Sequence, residues 1–325
     1  MIVAVTGASG HVGGNLVRLL LEQGHKIRVL HHIDNRSFKG LDVEVFRGDI
    51  LDKGSLFPIF RNVDIVFHAA ALISLSMRDW KHLEAVNVCG TRNVVEACIS
   101  CNVGRLVHFS SIHALSQEPL EIQIDESRKY VDFRGSPPYD RSKAHGEMEV
   151  LKGVDKGLDA VIIRPTGIIG PFDYKPSHTG RMLLSLAGGR LPALVKGGFD
   201  WVDVRDVVSS TLRAAIKAPS GSKYILSGHW VSLKDMAEVV ERQTGVPSPR
   251  LILPVCVAEL GVPFITAFSK IVRREPLYTR VSLMAVKSNM SISHTKAASE
   301  LNYSPRPFEK TISDTLEWFS KFNYI

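Results

Sequence analysis

Short apolar runs rich in β-branched residues alternate with longer amphipathic stretches through the first two-thirds of the chain. Ile2 to Val5, Ile27 to Leu30, Val43 to Phe46, Ile65 to His68, Leu106 to Phe109 and Ala160 to Ile163 have the length of strands. Between them, Val12 to Gln23, Trp80 to Ser100 and Pro138 to Leu151 read as helices, long enough to cross over between parallel strands. This alternation predicts an α/β fold built on a doubly wound parallel sheet. After Pro171 the pattern breaks up: Gly188-Gly189, Pro192, Gly197-Gly198, Pro219, Pro247, Pro249 and Pro254 punctuate shorter elements. A smaller C-terminal α/β domain is therefore expected over about 171–200 and 220–325. The larger domain takes 1–170, and the strand-like run from Trp201 to Val208 predicts a return to it over about 201–219.

Leu251 to Ser269 is apolar over about the length of a bilayer and is followed by Lys270, Arg273 and Arg274. Pro254, Glu259, Gly261 and Pro263 interrupt it, which predicts a buried or pocket-lining helix. Contact with a membrane surface is the second reading, and a span is not expected. Apolar types make up 45% of the 325 residues and charged types 22%, a globular balance that excludes disorder. Forty Lys and Arg against 33 Asp and Glu leave a formal charge of +7, scattered along the chain. Scattered basic residues favour a phosphate-bearing small molecule over a nucleic acid, which recruits clustered cations. Four cysteines are too few for a disulfide framework, and Ile2 enters an apolar run directly, so a cytoplasmic setting is expected. Cys98 and Cys101 form a C-x-x-C without a second Cys/His pair at a useful spacing, so they read as small residues ending a helix and no metal site is expected.

Thr6-Gly7-Ala8-Ser9-Gly10-His11-Val12-Gly13 follows a predicted strand and opens a predicted helix. In that context G-x-x-G-x-x-G is a dinucleotide cradle of Rossmann type. One glycine permits the turn, another lets backbone N–H groups approach a pyrophosphate, and Gly13 lets the helix lie against the sheet. The larger domain is therefore the dinucleotide-binding one and the smaller the substrate-binding one. The second strand ends in Leu30-His31-His32 with no acid, and Arg36 follows. These groups favour a 2′-phosphate, hence NADP over NAD, although Asp34 works against that preference. Gly48-Asp49-Ile50 after the third strand places a carboxylate either on the adenine amino group or in a turn.

Tyr139 and Lys143 make Y-x-x-x-K, which puts both side chains on one face of a helix. An adjacent ammonium favours the ionised phenol, and a phenol so tuned can shuttle a proton. With the glycine cradle and with Ser110-Ser111 ending the fifth strand, this pair becomes specific.

On these pieces the chain resembles the extended short-chain dehydrogenase/reductase superfamily, the NAD-dependent epimerase/dehydratase family. The matching residues also include His68-Ala69-Ala70-Ala71, Asn87 in Val86-Asn87-Val88-Cys89-Gly90-Thr91, and Arg164-Pro165-Thr166-Gly167-Ile168-Ile169-Gly170-Pro171. Trp201 to Val207 extends the likeness into the second half. The resemblance implies a nicotinamide enzyme in which Tyr139 exchanges the substrate proton, and Lys143 holds the nicotinamide ribose while lowering the tyrosine pKa. It implies that Ser111, or less readily Ser110, bonds the reacting oxygen, that Asn87 supports the active-site helix and its relay water, and that Pro165 to Ile168 pack at the nicotinamide. A homodimer through the helices over Trp80 to Ser100 and Pro138 to Leu151 is also implied.

Within the family the likeness is greatest to the dihydroflavonol 4-reductases and 3β-hydroxysteroid dehydrogenases. Sugar dehydratases place carboxylates just after the active-site serine or threonine, where this chain has Ile112-His113-Ala114. Nucleotide-sugar epimerases place an arginine before the strand matching Trp201 to Val204, where this chain has Gly197-Gly198-Phe199-Asp200. Both departures favour an oxidoreductase acting on a carbonyl or secondary alcohol of a small, relatively apolar substrate. An epimerase with tightly held NAD is the alternative, because Arg181, Arg190 or Lys196 can supply a cation. A non-catalytic dinucleotide sensor is disfavoured by the presence of Ser111, Tyr139 and Lys143 together. His113, two residues beyond Ser111, is a candidate second acid–base group or pocket wall. Phe172, Tyr174, His178, Phe199 and Trp201 are candidate walls of the substrate cavity.

Overall fold

The computed structural model describes residues 1–271 and 278–325, and the side chains of these apart from residues 264–271. Arg273 and Arg274 of the apolar segment's basic flank lie outside the described residues. Among the described residues, twelve strands run in chain order: β1 (Ile2–Thr6), β2 (Lys26–His31), β3 (Glu44–Arg47), β4 (Ile65–His68), β5 (Arg105–Phe109), β6 (Ala160–Pro165), β7 (Gly167–Ile169), β8 (Leu194–Val195), β9 (Gly198–Asp203), β10 (Lys223–Leu226), β11 (His229–Ser232) and β12 (Ile252–Leu253). The helices are α1 (His11–Glu22), α2 (Phe57–Phe60), α3 (Trp80–Leu83), α4 (Thr91–Ser100), α5 (Pro138–Asp155), α6 (His178–Ala187), α7 (Val204–Lys217), α8 (Leu233–Thr244), α9 (Val255–Ile271), α10 (Arg280–Val286), α11 (Thr295–Leu301) and α12 (Phe308–Lys321).

Seven strands form one parallel sheet in the order β10-β6-β5-β4-β1-β2-β3. The chain runs outward from β1 to β3 and then resumes at β4 on the other side of β1. In sheets with such a reversal, ligands bind outside the carboxyl ends of the strands at that point. Alternate side chains serve opposite faces. Val3 and Val5 pack in one core with Leu16 and Leu20 of α1 and Val207 of α7, while Ala4 joins Val66, Leu106 and Val94 of α4 in the other. Both faces are covered, which is why these strands read as continuous apolar runs.

The smaller lobe holds the sheet β11-β9-β7, the pair β12-β8, and a core that includes Leu183, Trp201, Met236, Ile312 and Phe319. The run from Trp201 to Val208 is not a strand of the large sheet. β9 belongs to the small sheet, and Asp203 ends it by accepting from Arg205 N at 2.8 Å, which starts α7. The return to the large sheet is made by α7 against α1 and by β10 beside β6, and Tyr303 after α11 also packs in that core. The predicted helix from Trp80 to Ser100 is α3 and α4 joined by a π-helical stretch, Glu84–Gly90, that carries Asn87.

The described part of α9 is less buried than expected. Val255, Ala258 and Val262 face the lobe's core, while Leu260 is 75% exposed and Leu251, just before the helix, 57%. No described helix is long and apolar enough to cross a membrane. Cys98 is buried in the core and Cys101 caps α4.

Candidate active site

The glycine cradle spans the turn from β1 to α1. Gly7 has φ +75°, and a Cβ there would fall 2.4 Å from Ala70 N. A Cβ on Gly13 would fall 2.1 Å from Gly7 O, so both positions need glycine for close backbone approach. Gly10 occupies the N-cap of α1 without a side-chain bond to the first-turn amides of His11, Val12 and Gly13. Those amides and the helix dipole suit a pyrophosphate, so the residues present fit a dinucleotide. Ala69 N donates to Thr6 O at 3.1 Å and brings Ala69-Ala70-Ala71 over the cradle. Ser9 contributes its carbonyl to the Ser37 hydroxyl at 2.8 Å. The His11 imidazole is spent on Pro171 O at 3.0 Å, leaving its backbone amide to the cradle.

At the end of β2 the expected cations are not a free set. His31 stands edge-on to Phe38, His32 faces Asp49 at 3.4 Å, and Arg36 forks onto Asp34 at 3.0 and 2.6 Å. The Arg36 hydrogen bonds hold the Asp34 carboxyl below its ordinary range. Asp49 also accepts from Leu51 N at 2.9 Å, the turn-capping geometry, and Ile50 packs against Gly90.

Ser111 ends the β5 strand region and caps the short 3-10 turn Ile112–Ala114, while Tyr139 and Lys143 share a face of α5. Burial raises the Tyr139 hydroxyl well above the ordinary phenol value, and a hydrogen bond with Ser111 pulls it back. Lys143 stands one turn further along α5. Its ammonium donates to Phe109 O at 2.7 Å, and its own burial dominates, pushing Lys143 down to about 8 against the opposing pull of Glu147. His113 Nδ1 faces Asp140 Oδ1 at 3.5 Å, and its ring is edge-on to Tyr139 with centroids 6.1 Å apart.

The Asn87 side chain bridges two elements. Its carbonyl accepts from Leu72 N at 2.8 Å, and its amide donates to Leu72 O and to Ser142 Oγ, both at 2.9 Å. It thereby ties the segment after β4 to the turn of α5 between Tyr139 and Lys143, while its side-chain oxygen, with one donor, keeps a second lone pair and its main-chain carbonyl is a further acceptor. That carbonyl already accepts from Thr91 Oγ1 at 2.7 Å.

The two serines are not equivalent. Ser110 Oγ donates to Glu147 Oε1, inside a network in which Arg164 grips the same carboxylate at 2.9 and 2.6 Å and Tyr130 OH donates to it at 3.0 Å. Sequence reasoning missed this cluster, although an arginine in the buried run Ala160–Pro165 required a carboxylate partner. His68, legible in the sequence only as the residue before the three alanines, has a ring that links Thr6 Oγ1 at 2.7 Å to Thr91 Oγ1 at 3.0 Å and is held neutral by burial, its pKa lowered to about 3.

The expected cavity walls have the following neighbours. Phe172 and Tyr174 flank the Arg18 guanidinium, at 4.5 and 5.3 Å, and join the aromatic cluster around Trp318. Trp201 is buried behind Gly167 and donates Nε1 to Val231 O at 3.3 Å, with Phe199 edge-on beside it. His178 opens α6 and bonds Arg181 at 2.6 Å. Asp200 does not face a substrate as an acid in place of a cation. It turns inward, accepting from Thr166 Oγ1 at 2.6 Å and Gly228 N at 2.7 Å, and so fixes the stretch Pro165-Thr166-Gly167-Ile168.

A parallel sheet that reverses at β1 and a glycine cradle at the turn from β1 to α1 suit a dinucleotide. The sequence profile of the NAD dependent epimerase/dehydratase family matches residues 3–226, and the chain belongs to that family. The chain is 34% identical over its full length, and that of the relative, to "Sterol demethylase protein B" of Methylococcus capsulatus. It is 31% identical to a "Putative dihydroflavonol 4-reductase" of Synechocystis, over 99% of this chain and 95% of that one. A UDP-glucose 4-epimerase of Streptomyces lividans is 30% identical over 77% of this chain and 83% of its own. Among solved structures, gox2253 superposes with a TM-score of 0.87 at 33% identity, covering 100% of this chain and 99% of that one.

Proposed function

We propose that the protein is an NAD(P)-dependent oxidoreductase that interconverts a carbonyl and a secondary alcohol on a small, relatively apolar substrate through Ser111, Tyr139 and Lys143. The observation that carries this reading is the hydrogen bond between Ser111 and the Tyr139 hydroxyl, one helical turn from Lys143. The two most similar relatives reported above bear sterol demethylase and dihydroflavonol reductase names, which supports a substrate of that apolar character.

A bound nicotinamide supplies or accepts the hydride at the reacting carbon. Tyr139 gives its hydroxyl proton to the carbonyl oxygen in reduction and takes it back in oxidation, so C=O becomes CH–OH with one hydride and one proton. Ser111 donates to the same oxygen as negative charge develops there. Lys143 holds the cofactor's ribose and returns a proton to Tyr139. Gly7 to Gly13 hold the pyrophosphate, with Ala69 to Ala71 above them, and Thr166, fixed by Asp200, keeps Pro165 to Ile168 at the nicotinamide.

The Lys143 value sets a pH dependence. Below about 8 it is an ammonium and above it an amine, so kcat/KM for reduction is expected to fall as pH rises through that value. A pH profile of initial rates that stays flat across it contradicts the role of Lys143.

The cofactor preference follows from Arg36. With its charge already matched by Asp34, discrimination for NADPH over NADH is expected to be weak. Asp34→Asn frees the guanidinium for a 2′-phosphate and removes a repelling carboxylate, so the NADPH/NADH affinity ratio should rise about tenfold. Fluorescence titration of the variant with both cofactors checks this, and an unchanged ratio shows that neither residue reaches the ribose.

Consumption of reduced cofactor with a panel of apolar ketones and aldehydes tests the reading as a whole. The 30% identity to a UDP-glucose 4-epimerase supports the other reading, in which NAD is retained and recycled. Co-purified NAD that does not exchange, together with conversion of UDP-glucose to its epimer, selects that alternative.

A further inference from the structure

We propose that His113, held by Asp140, recognises a second acceptor oxygen on the substrate, one or two carbons from the carbon that reacts at Tyr139. The proposal rests on the assignment of Ser111, Tyr139 and Lys143 above and names a substrate class for it: ketones or alcohols carrying a neighbouring carbonyl or carboxylate oxygen.

The placement is built from three sides. Ser111 Oγ accepts from the His113 backbone N–H at 3.2 Å, so the same serine that meets Tyr139 fixes the turn that presents His113. The His113 ring then lies edge-on to the Tyr139 ring. Its Nδ1 is tied to the buried Asp140, the residue next to Tyr139 on α5. Nε2 has no hydrogen-bond partner among the described residues, yet it is not among the sealed, unsatisfied nitrogens, and the side chain is 29% exposed. That nitrogen therefore keeps access to solvent, on a ring that stands against the Tyr139 ring.

Charge favours a donor at that nitrogen. Asp140 and Tyr139 are the groups that α5 turns toward the ring, and Lys143, one turn further on, is occupied by Phe109 O. Burial disfavours the imidazolium, but the Asp140 carboxylate outweighs it and raises the His113 pKa. A carboxylate on Nδ1 also fixes the tautomer, which makes Nε2 the outward N–H or lone pair as the proton comes and goes. The reacting oxygen already has donors in Tyr139 and Ser111. His113 bonds neither side-chain oxygen, so its hydrogen bond goes to another atom of the substrate. His113 is thus a specificity-determining residue, and Asp140 a positioning residue behind it.

The test compares wild type with His113→Gln and His113→Leu on three probes: 3-oxobutanoate, its ethyl ester, and 2-pentanone, which lacks the second oxygen. Wild type is expected to prefer an oxygenated probe, and His113→Leu to reduce that preference about 10- to 100-fold, chiefly through KM. His113→Gln, which keeps an N–H at similar reach, should recover part of it. A preference for the carboxylate over the ester identifies an anionic partner, and equal use identifies a neutral one. A preference ratio unchanged in His113→Leu overturns the proposal.

A second readout does not depend on turnover. With histidine labelled by 13C and the His113 signal assigned from the variants, 3-oxobutanoate added with NAD(P)+ should move that signal and raise its titration midpoint, and 2-pentanone should not. A His113 signal indifferent to both oxygenated probes overturns the proposal. A signal that moves in a protein that consumes none of the ketones leaves the acceptor site standing and counts against the oxidoreductase reading.

Discussion

Tyr139→Phe is expected to lower turnover about a thousandfold while leaving NAD(P)H affinity within about threefold of wild type. The variant removes one hydroxyl and keeps the ring, so the edge-on packing with His113 and the turn of α5 persist. What disappears is the O–H that bonds Ser111, the group proposed to pass a proton to the reacting oxygen. Burial keeps the Tyr139 proton in place at neutral pH, which suits donation in the reductive direction. Steady-state kinetics with the best ketone from the panel, paired with a cofactor fluorescence titration, separates the two quantities. Equal loss of cofactor affinity would mean a collapsed site, and undiminished turnover would remove Tyr139 from the chemistry.

The second large effect concerns stability. Arg164 is 1% exposed and Glu147 is 0%, and the pair is completed by Ser110 and Tyr130. Arg164→Met leaves a buried carboxylate without its cation and should cost about 3–5 kcal/mol of folding free energy. Replacing both, as Arg164→Met with Glu147→Leu, should cost less than the single change because no uncompensated charge remains. Urea denaturation of the three proteins measures this. A double variant less stable than Arg164→Met would show that the network stabilises through its hydrogen bonds to Ser110 and Tyr130 rather than through the ion pair. Glu147 also supports the charge on Lys143, so the double variant, which removes that carboxylate, should move the pH profile toward lower values, and Arg164→Met, which keeps it, should not.

The parallel sheet and its cradle are legible in the sequence because they rest on local rules. Strand and helix periods differ, and Gly7 and Gly13 mark backbone contacts that no side chain tolerates. The run around Trp201 misled because an apolar, β-branched stretch fits two sheets equally well. Asp203 decides where the strand stops, and pairing with β7 and β11 decides which sheet receives it. Asp200 and the aromatics Phe172, Tyr174 and Trp201 carry the right chemistry for a pocket, yet their directions are set by residues far away in sequence. Thr166 and Gly228 turn Asp200 inward, and Arg18 and Trp318 gather Phe172 and Tyr174 into a cluster. The cations after β2 show the same limit. His32 and Arg36 suggest a phosphate site by type, and only the fold shows Asp49 and Asp34 already opposite them.

The measurement that bears most directly on the central claim is a fluorescence titration of the purified protein with NADPH and with NADH, after release of any cofactor that co-purifies. The account predicts saturable, exchangeable binding of at least one of them, followed by its consumption when a ketone substrate is added. Binding of neither cofactor would contradict the account at its foundation, and tightly retained NAD with no net consumption would replace the oxidoreductase by an epimerase.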